Sequence, residues 1–488
     1  MMRAAVWLAV WLTVTVLATA PVAATSGQAP PADAATSGQP APMDAAAYIQ
    51  QATATQAATR ARLRVLGDAE TCDEARFVAY RRSDVESDFI DEWYVASQLW
   101  ADAELLLTKR AGPSELEWVV RGLVPVPSTG PVVPLGTPED HCHLTKGFIF
   151  LDRLFDEDDD GGYYARSNPT GLQVEHGACY GDDNALVGLA LLAAMETTND
   201  NGLRTRYLHA ARRQAEFLIE SGLWDDTFGG GFWWNTDLGT TEEGKPAQTN
   251  ALAALFFARL YLVTGEPRYR DQALDTLAWL DTVLYDPERR LYRWSVSYEV
   301  PEEQAGPAVV ASRYFNYDQA LAIEAQLVAA RLDGDPGRLE RARQVGLAVQ
   351  EAFWDQEHGG YTLEAGVDSV YASYGAWTSL GHLALYDADG DRMWLALAEA
   401  NARSLTSTLR DAQGSYALGH YSCAGRPDLL GCEGDESTWV IDWTLDTAAQ
   451  AWNQHLNVAI ARRLAASAGA APSRTAPERT ATPRPGAP

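Results

Sequence analysis

A chain of 488 residues, 47% hydrophobic and 10% aromatic, is long enough to bury a large core. Its formal net charge of −28 argues against nucleic acid or an anionic membrane as partner, because both select a basic face. The 16 Trp and 20 Tyr suit either a core or a surface on which rings, sugars included, stack.

Residues 1–24 read as a secretory signal peptide, with Arg3, an apolar run, and small residues at Val22, Ala23 and Ala24 before the expected cut. The run is short for a bilayer span, and no later stretch is apolar enough to be one. The mature chain is therefore expected to be secreted or extracytoplasmic, where disulfides form. Of the five cysteines, Cys423 and Cys432 bracket a short Gly/Pro loop, Cys72 and Cys142 are a second candidate pair, and Cys179 is left over. Spacing alone fixes neither pairing. No Cys/His spacing resembles a zinc site.

Residues 25–42, rich in Pro, Ala, Ser and Gly, read as a disordered linker, and 467–488 as a similar tail. Between them, 43–466 read as one all-α domain. The spacing of Leu, Ala, Val and Trp is helical almost throughout, as in LAALFFARLYLVTG and LAIEAQLVAARLDGD. No Val/Ile/Thr alternation is long enough for a central strand.

A repeat organises this region: LFDEDDDGGYYAR (154–166), LWDDTFGGGFWWN (223–235), LYDPERRLYRW (284–294), FWDQEHGGYTLE (353–364) and LRDAQGSYALG (409–419). Each follows a helical stretch and reads apolar, Asp, turn, aromatic, with a Gly ahead of the aromatic in all but 284–294. The interval of about 55–70 residues fits one helical hairpin with its loops. Five such units, with a sixth closed by terminal helices near 43–66 and 438–466, predict an (α/α)6 toroid. An open helical solenoid is the alternative.

In a toroid the starts of the inner helices converge on one depression. Those starts are DVESDFIDEWYVASQLW, YGDDNALVG, KPAQTNALAAL, RYFNYDQALAIE, SVYASYGAWTSL and STWVIDWTLDTA. A hollow lined by Trp, Tyr, Asp and Asn suits a polysaccharide or oligosaccharide, whose rings stack on aromatics while amides and carboxylates bind hydroxyls.

Asp182 and Asp183 open one of these helices, and the simplest reading of them is a helix cap. The second reading is a glycosidase pair. One carboxyl protonates the leaving oxygen, and the other attacks the anomeric carbon or activates water. Retaining enzymes hold the two roughly 5–5.5 Å apart, within reach of neighbours at a helix start. Ionisation of one acid raises the pKa of the other. The helix dipole favours both anions, so something apolar has to shield the acid, and Tyr180 is the candidate.

DEDDDG (156–161) opens like a calcium loop with Asp156, Asp158 and Asp160, but Ser167 stands where the closing Glu belongs. Acidic turn is the default there and at DADGD (387–391). No cofactor is called for.

YGDDNALVGLALL, GGGFWWN (229–235), TNALAALFFARLYLVTGEPRYRDQALDTLAWLD (249–281) and FNYDQALAIEAQLVAARL (315–332) together resemble glycoside hydrolase family 76, over about residues 178–355. The resemblance implies an (α/α)6 fold and an endo-α-1,6-mannanase or related transglycosylase that retains configuration through adjacent aspartates. By it, Asp182 is the nucleophile and Asp183 the general acid/base. Trp233, Trp234 and Asn235 shape the sugar subsites, with Tyr180, Asn250, Tyr317 and Gln319 near them. The family usually carries an aromatic where Gly181 stands, often Trp at Leu186, and Asn at Asp318, so altered subsites are expected. Residues 72–170 align with nothing in the family.

Two other functions compete. One is a sugar epimerase of the N-acylglucosamine 2-epimerase type, which would use histidines; His176, His358, His382 and His420 form no such pattern. The other is a non-catalytic glycan-binding protein. Trp233 and Trp234 are alternatively loop aromatics pinning helices. Asp88, Asp91 and Asp442 read as capping or solvated, and Cys179 as a buried thiol.

Overall fold

The computed structural model describes residues 43–83, 89–110, 136–156, 161–168, 173–241, 243–424, 432 and 438–469. Contacts divide the chain into residues 1–42 and 43–488. The signal segment, the linker, residues 470–488, Asp88, Asp158 and Asp160 lie outside the described residues.

The described helices are α1 (Ala45–Arg62), α2 (Glu92–Arg110), α3 (Pro138–Asp152), α4 (Gly181–Glu196), α5 (Asn201–Glu220) and α6 (Ala247–Thr264). They continue with α7 (Pro267–Trp279), α8 (Asn316–Asp333), α9 (Pro336–Phe353), α10 (Ala372–Asp389), α11 (Arg392–Leu409) and α12 (Thr447–Gly469). The even-numbered helices are the inner set. Every residue of α4 from Gly181 to Met195 is buried, which an apolar-all-round sequence permits only when neighbours cover each face. Outer helix α5 instead buries one stripe, Tyr207, Ala210, Ala211, Gln214 and Leu218 among it, at helical spacing.

The inner helices touch in a closed circuit: α2 on α4, α4 on α6, α6 on α8, α8 on α10, α10 on α12, and α12 back on α2. The odd helices pack outside, α1 on α12, α3 on α2, α5 on α4, α7 on α6, α9 on α8 and α11 on α10. Three inner helices end alike, at Gly265, Gly334 and Gly390 with φ of 71°, 72° and 75°. That left-handed stop turns the chain directly into the next outer helix. DADGD is such a turn: Asp389 accepts from Arg343 and Trp394, and Asp391 caps α11.

The repeated stretches are small antiparallel hairpins that lead from an outer helix to the next inner one. Phe155 bridges Tyr163, Trp224 bridges Phe232, Tyr285 pairs with Tyr292, Trp354 bridges Tyr361, and Arg410 bridges Tyr416. The repeat aspartate closes the turn, with Asp225 accepting from the Thr227 N–H, Asp286 from Glu288, Asp355 from Glu357 and Asp411 from Ser415.

An amide at the fourth residue of the following inner helix then grips the hairpin's aromatic by its backbone. Asn184 accepts from the Tyr163 N–H at 2.6 Å and donates to the Tyr163 and Tyr180 carbonyls. Asn250 does the same to Phe232 and Pro246, Gln319 to Tyr292 and Phe315, and Gln450 to Tyr416 and Asp446. Tyr163, Phe232, Tyr292 and Tyr416 are all completely buried, so these clips satisfy backbone groups that water does not reach.

Strands that the sequence pattern does not announce occur in the connections. Residues 295–300 pair with 305–310, and 369–371, 419–422 and 439–442 form a three-stranded sheet. Stretches of three to six residues hold too few alternating positions to show a period of two. Both disulfides, Cys72–Cys142 and Cys423–Cys432, are formed, and Cys179 is buried and belongs to neither. Further along the inner helices, ion pairs join them: Glu104 with Arg462, Glu324 with Arg259, and Asp387 with Arg463. Among the described residues no helix is long and apolar enough to cross a membrane.

Candidate active site

The inner helices bring their first turns together. Asp182 and Asp183 stand in the first turn of α4. Gln248, in the first turn of α6, donates to Asp182 Oδ2 at 3.0 Å, and the Trp234 indole donates to the same oxygen at 3.2 Å. The Asp182 charge is felt by Tyr317 of α8, and both aspartates are felt by Tyr374 of α10 and Glu92 of α2. Aromatic rings form the wall. Tyr180 meets Trp234 edge-on at 4.8 Å, Tyr317 lies 4.8 Å from Tyr374, and Phe315 stacks on Tyr317. The two aspartates are each 7% exposed, so a narrow approach reaches them.

The adjacent carboxyls differ in their surroundings. Asp182 Oδ2 receives two side-chain donors, while its buried Oδ1 has no hydrogen-bond partner. Asp183 receives no side-chain hydrogen bond among the described residues. Burial pushes Asp182 up to about 6, while the main-chain N–H at 182, the Trp234 indole and the N–H at 183 oppose the rise. Burial pushes Asp183 well above the carboxylate range, the Asp182 and Asp91 charges add to it, and Arg166 opposes. Arg166 is shared with Asp91, whose Oδ1 it holds at 2.5 Å. Both acids are thus shifted upward, and the Asp182 charge adds to the rise of Asp183.

The structure places the other expected residues unevenly. Tyr180, Trp234 and Tyr317 surround the pair. Trp233 does not: its indole donates to Asp225 at 3.0 Å, and its ring lies under the buried Lys245 ammonium and against Tyr298. Adjacent residues of an extended segment point to opposite sides, so only one of the two tryptophans can face the hollow. Asn250 and Gln319, expected near the sugar subsites, commit their amides to the backbone clips. Asn235 is buried and accepts from the Asp237 N–H, closing a turn whose backbone bridges Tyr180. Asp156 is buried, and among the described residues no group of three or more His, Cys, Asp or Glu stands ready to hold a metal. Asp91 pairs with Arg166, and Asp442 accepts from the Thr444 N–H.

Sequence reasoning missed Gln248, Glu92 and Tyr374. All three lie inside the inner-helix starts, and their positions within the first turn were the available signal. Gly181 has no room for the aromatic usual there, since a Cβ would stand 2.9 Å from Thr249 Cγ2 and 3.4 Å from the Trp233 carbonyl.

Asp318 is also distinctive. It is fully buried, neither carboxyl oxygen completes a hydrogen bond, and burial raises it well above the carboxylate range against the nearby Gln248 N–H. A folded pKa raised above the unfolded one makes the group stabilising below the unfolded pKa, with that stability lost as pH rises through the folded pKa. Asp318→Asn is therefore expected to stabilise the protein by about 1–3 kcal/mol at alkaline pH, the usual cost of an unsatisfied buried group. The gain should shrink at pH 5, which urea unfolding at the two pH values measures. An equal or absent gain at both would show that Asp318 is not a strained buried acid.

Residues 163–368 match the family model described as glycosyl hydrolase family 76. No curated protein matches the chain. Among solved structures, a family 76 α-mannanase of Bacteroides thetaiotaomicron is similar, with TM-score 0.60 and 16% identity over 85% of this chain and 96% of that one. An inactive α-1,6-mannanase variant of Salegentibacter sp. HEL1_6, with two consecutive aspartates changed to alanine and bound to α-1,6-mannotetrose, gives TM-score 0.57 and 18% identity. That alignment covers 85% of this chain and 98% of the mannanase. A sugar epimerase from a ruminal bacterium gives TM-score 0.60 and 12% identity, over 85% and 98%. The chain thus resembles family 76 in sequence over the segment that carries Asp182 and Asp183, and in fold over most of its length.

Proposed function

We propose that this chain is a secreted glycoside hydrolase that cleaves α-1,6-linked mannan with retention, residues 43–466 forming one (α/α)6 catalytic toroid. The family 76 match supports the hydrolase class, and the α-1,6-mannotetrose bound to a similar fold supports the glycan. The N-terminal signal-like segment supports export.

One observation carries the mechanism: adjacent carboxyls with opposite hydrogen bonding. Asp182, held through Oδ2 by the Trp234 indole and the Gln248 amide, attacks the anomeric carbon. Asp183 gives its proton to the leaving oxygen as the glycosidic bond breaks, then takes one from the water that releases the sugar from Asp182. Trp234, Tyr180, Tyr317 and Tyr374 provide faces for sugar rings. The histidines support an epimerase poorly. His382 is buried and His455 half-buried among aromatics along α10 and α12, and desolvation lowers each to about 4.

The test is to incubate the mature protein with α-1,6-mannan, other α-mannans and α-glucans, and to follow the anomeric form of the products by NMR. Mannooligosaccharides born as the α-anomer from α-1,6-mannan are expected. Release from none of the α-mannans, or first-formed β-anomer, would overturn the reading.

A further inference from the structure

Glu92 is the first residue of α2, the inner helix packed beside α4. It is fully buried, and neither carboxyl oxygen has a hydrogen-bond partner. Its backbone is fixed, because its N–H donates to the Ala165 carbonyl next to Arg166. The groups whose charge reaches it are Asp183 and Asp182 of α4, and its own charge reaches Tyr163 of the neighbouring hairpin. Asp91, the residue before it, is engaged by Arg166. Glu92 serves neither as a cap nor in an ion pair, and it is sealed from substrate. A buried polar group left unpaired is costly, so its presence calls for a task.

We propose that Glu92 is a positioning acid for the catalytic pair: a sealed carboxylic acid that hydrogen-bonds the Asp183 carboxylate during the glycosyl-enzyme stage. The proposal rests on the retaining roles given above to Asp182 and Asp183. In the resting enzyme Asp183 carries its own proton and asks nothing of Glu92, which matches the absence of a hydrogen bond between them. When Asp182 bonds to the anomeric carbon, the glycosidic C–O bond breaks, and the Asp183 proton leaves with the departing alcohol. The negative charge of the cluster has then moved from Asp182, now an ester, to Asp183. Glu92 keeps its proton and points it at the new carboxylate. When Asp183 takes a proton from the attacking water and the ester opens, the charge returns to Asp182 and the hydrogen bond is released. Burial, and the charges of Asp183 and Asp182, hold Glu92 well above the carboxylate range, consistent with an acid that never ionises in the cycle.

Two measurements test this. The first needs no substrate: infrared difference spectra of the intact protein as pH is raised to ionise Asp183. The C=O stretch of one protonated carboxyl, absent from Glu92→Gln, is expected to shift to lower frequency as Asp183 ionises, and to stay still in Asp183→Asn. No band lost in Glu92→Gln, or no shift in the wild type, overturns the proposal whatever the glycan.

The second is kinetic. Glu92→Leu is expected to lose about 10- to 100-fold in kcat on α-1,6-mannan, the scale of one hydrogen bond to a charged group. The loss should shrink on an aryl α-mannoside with a good leaving group, while the melting temperature holds or rises. Glu92→Gln, which restores an N–H donor, should recover most of the rate. A loss equal on both substrates, or no loss, overturns the role. A wild type inert on mannan overturns the proposed substrate and leaves the infrared result to decide Glu92.

Discussion

Asp183→Asn is expected to slow hydrolysis of α-1,6-mannan by about 10²–10⁴-fold, the usual worth of a positioned general acid. Asp182→Asn should remove turnover to background. Both variants are expected to fold, because asparagine keeps the shape of each side chain and removes the cost of a buried charge. The two should separate on leaving-group quality. An activated aryl glycoside departs without a proton, so Asp183→Asn should approach the wild-type rate of glycosyl transfer to Asp182 and then stall, showing a burst. Asp182→Asn gains nothing from a better leaving group, because it lacks the attacking oxygen. Asp182 has to be ionised, and burial raises it to about 6, so kcat/KM of the wild type should climb as pH rises through about 6. The apparent value belongs to the coupled pair. It should fall on the high-pH side as Asp183 loses its proton. Steady-state and burst kinetics with product analysis decide the matter. Wild-type rates in either variant would retire the pair, whereas lost turnover with unchanged binding of mannooligosaccharide would separate catalysis from simple glycan binding.

Different physics made different parts of this molecule legible. Inner helices α4 and α6 announce themselves because they are apolar on almost every face, and an outer one such as α5 because it carries a single stripe. The Asp-turn-aromatic repeat marks the hairpins, since a closing aspartate, a residue at positive φ (glycine in four of the five, Arg290 in the other) and a buried ring are local requirements of one turn. Asp182 and Asp183 stood out as tandem acids before an apolar run. Orientation was less accessible. Trp233 and Trp234 are equivalent by type, and only the pleat decides that Trp234 faces Asp182 while Trp233 serves Lys245 and Asp225. Glu92 and Gln248 matter because helix starts far apart in sequence meet, and beyond a place in the first turn no local pattern marks either. Asn250 and Gln319 are the instructive case. Setting the starts GDDN, AQTN, NYDQ and TAAQ upon one another puts an amide in the fourth place of each. That regularity marks a scaffold device, since a substrate site has no reason to repeat around a ring.

Gln319→Leu is therefore expected to destabilise the protein by about 2–5 kcal/mol without changing the chemistry of the pair. The substitution keeps bulk in a fully buried slot but strands the Tyr292 N–H and the carbonyls of Tyr292 and Phe315. Each unsatisfied buried group costs about 1–3 kcal/mol, and partial relaxation keeps the sum below full additivity. Gln344→Leu, an exposed amide on α9, is the control. Urea unfolding followed by circular dichroism should show a lower midpoint for Gln319→Leu and an unchanged one for the control; equal midpoints would refute the clip. The converse is available in the same ring. In α10 the fourth place is Gly375, so no amide reaches Tyr361 from there, and the nearest atoms to a Cβ at 375 belong to Leu405 and Asn401, at 3.6–3.9 Å. Gly375→Asn places its Cβ in ordinary contact, improves helix propensity by a few tenths of a kcal/mol, and offers Tyr361 the missing grip. A net gain of about 0.5–1.5 kcal/mol is expected if at least one hydrogen bond forms. A loss would mean that this hairpin is held well enough by the Trp354 bridge and the bond from the Tyr361 hydroxyl to Gln350.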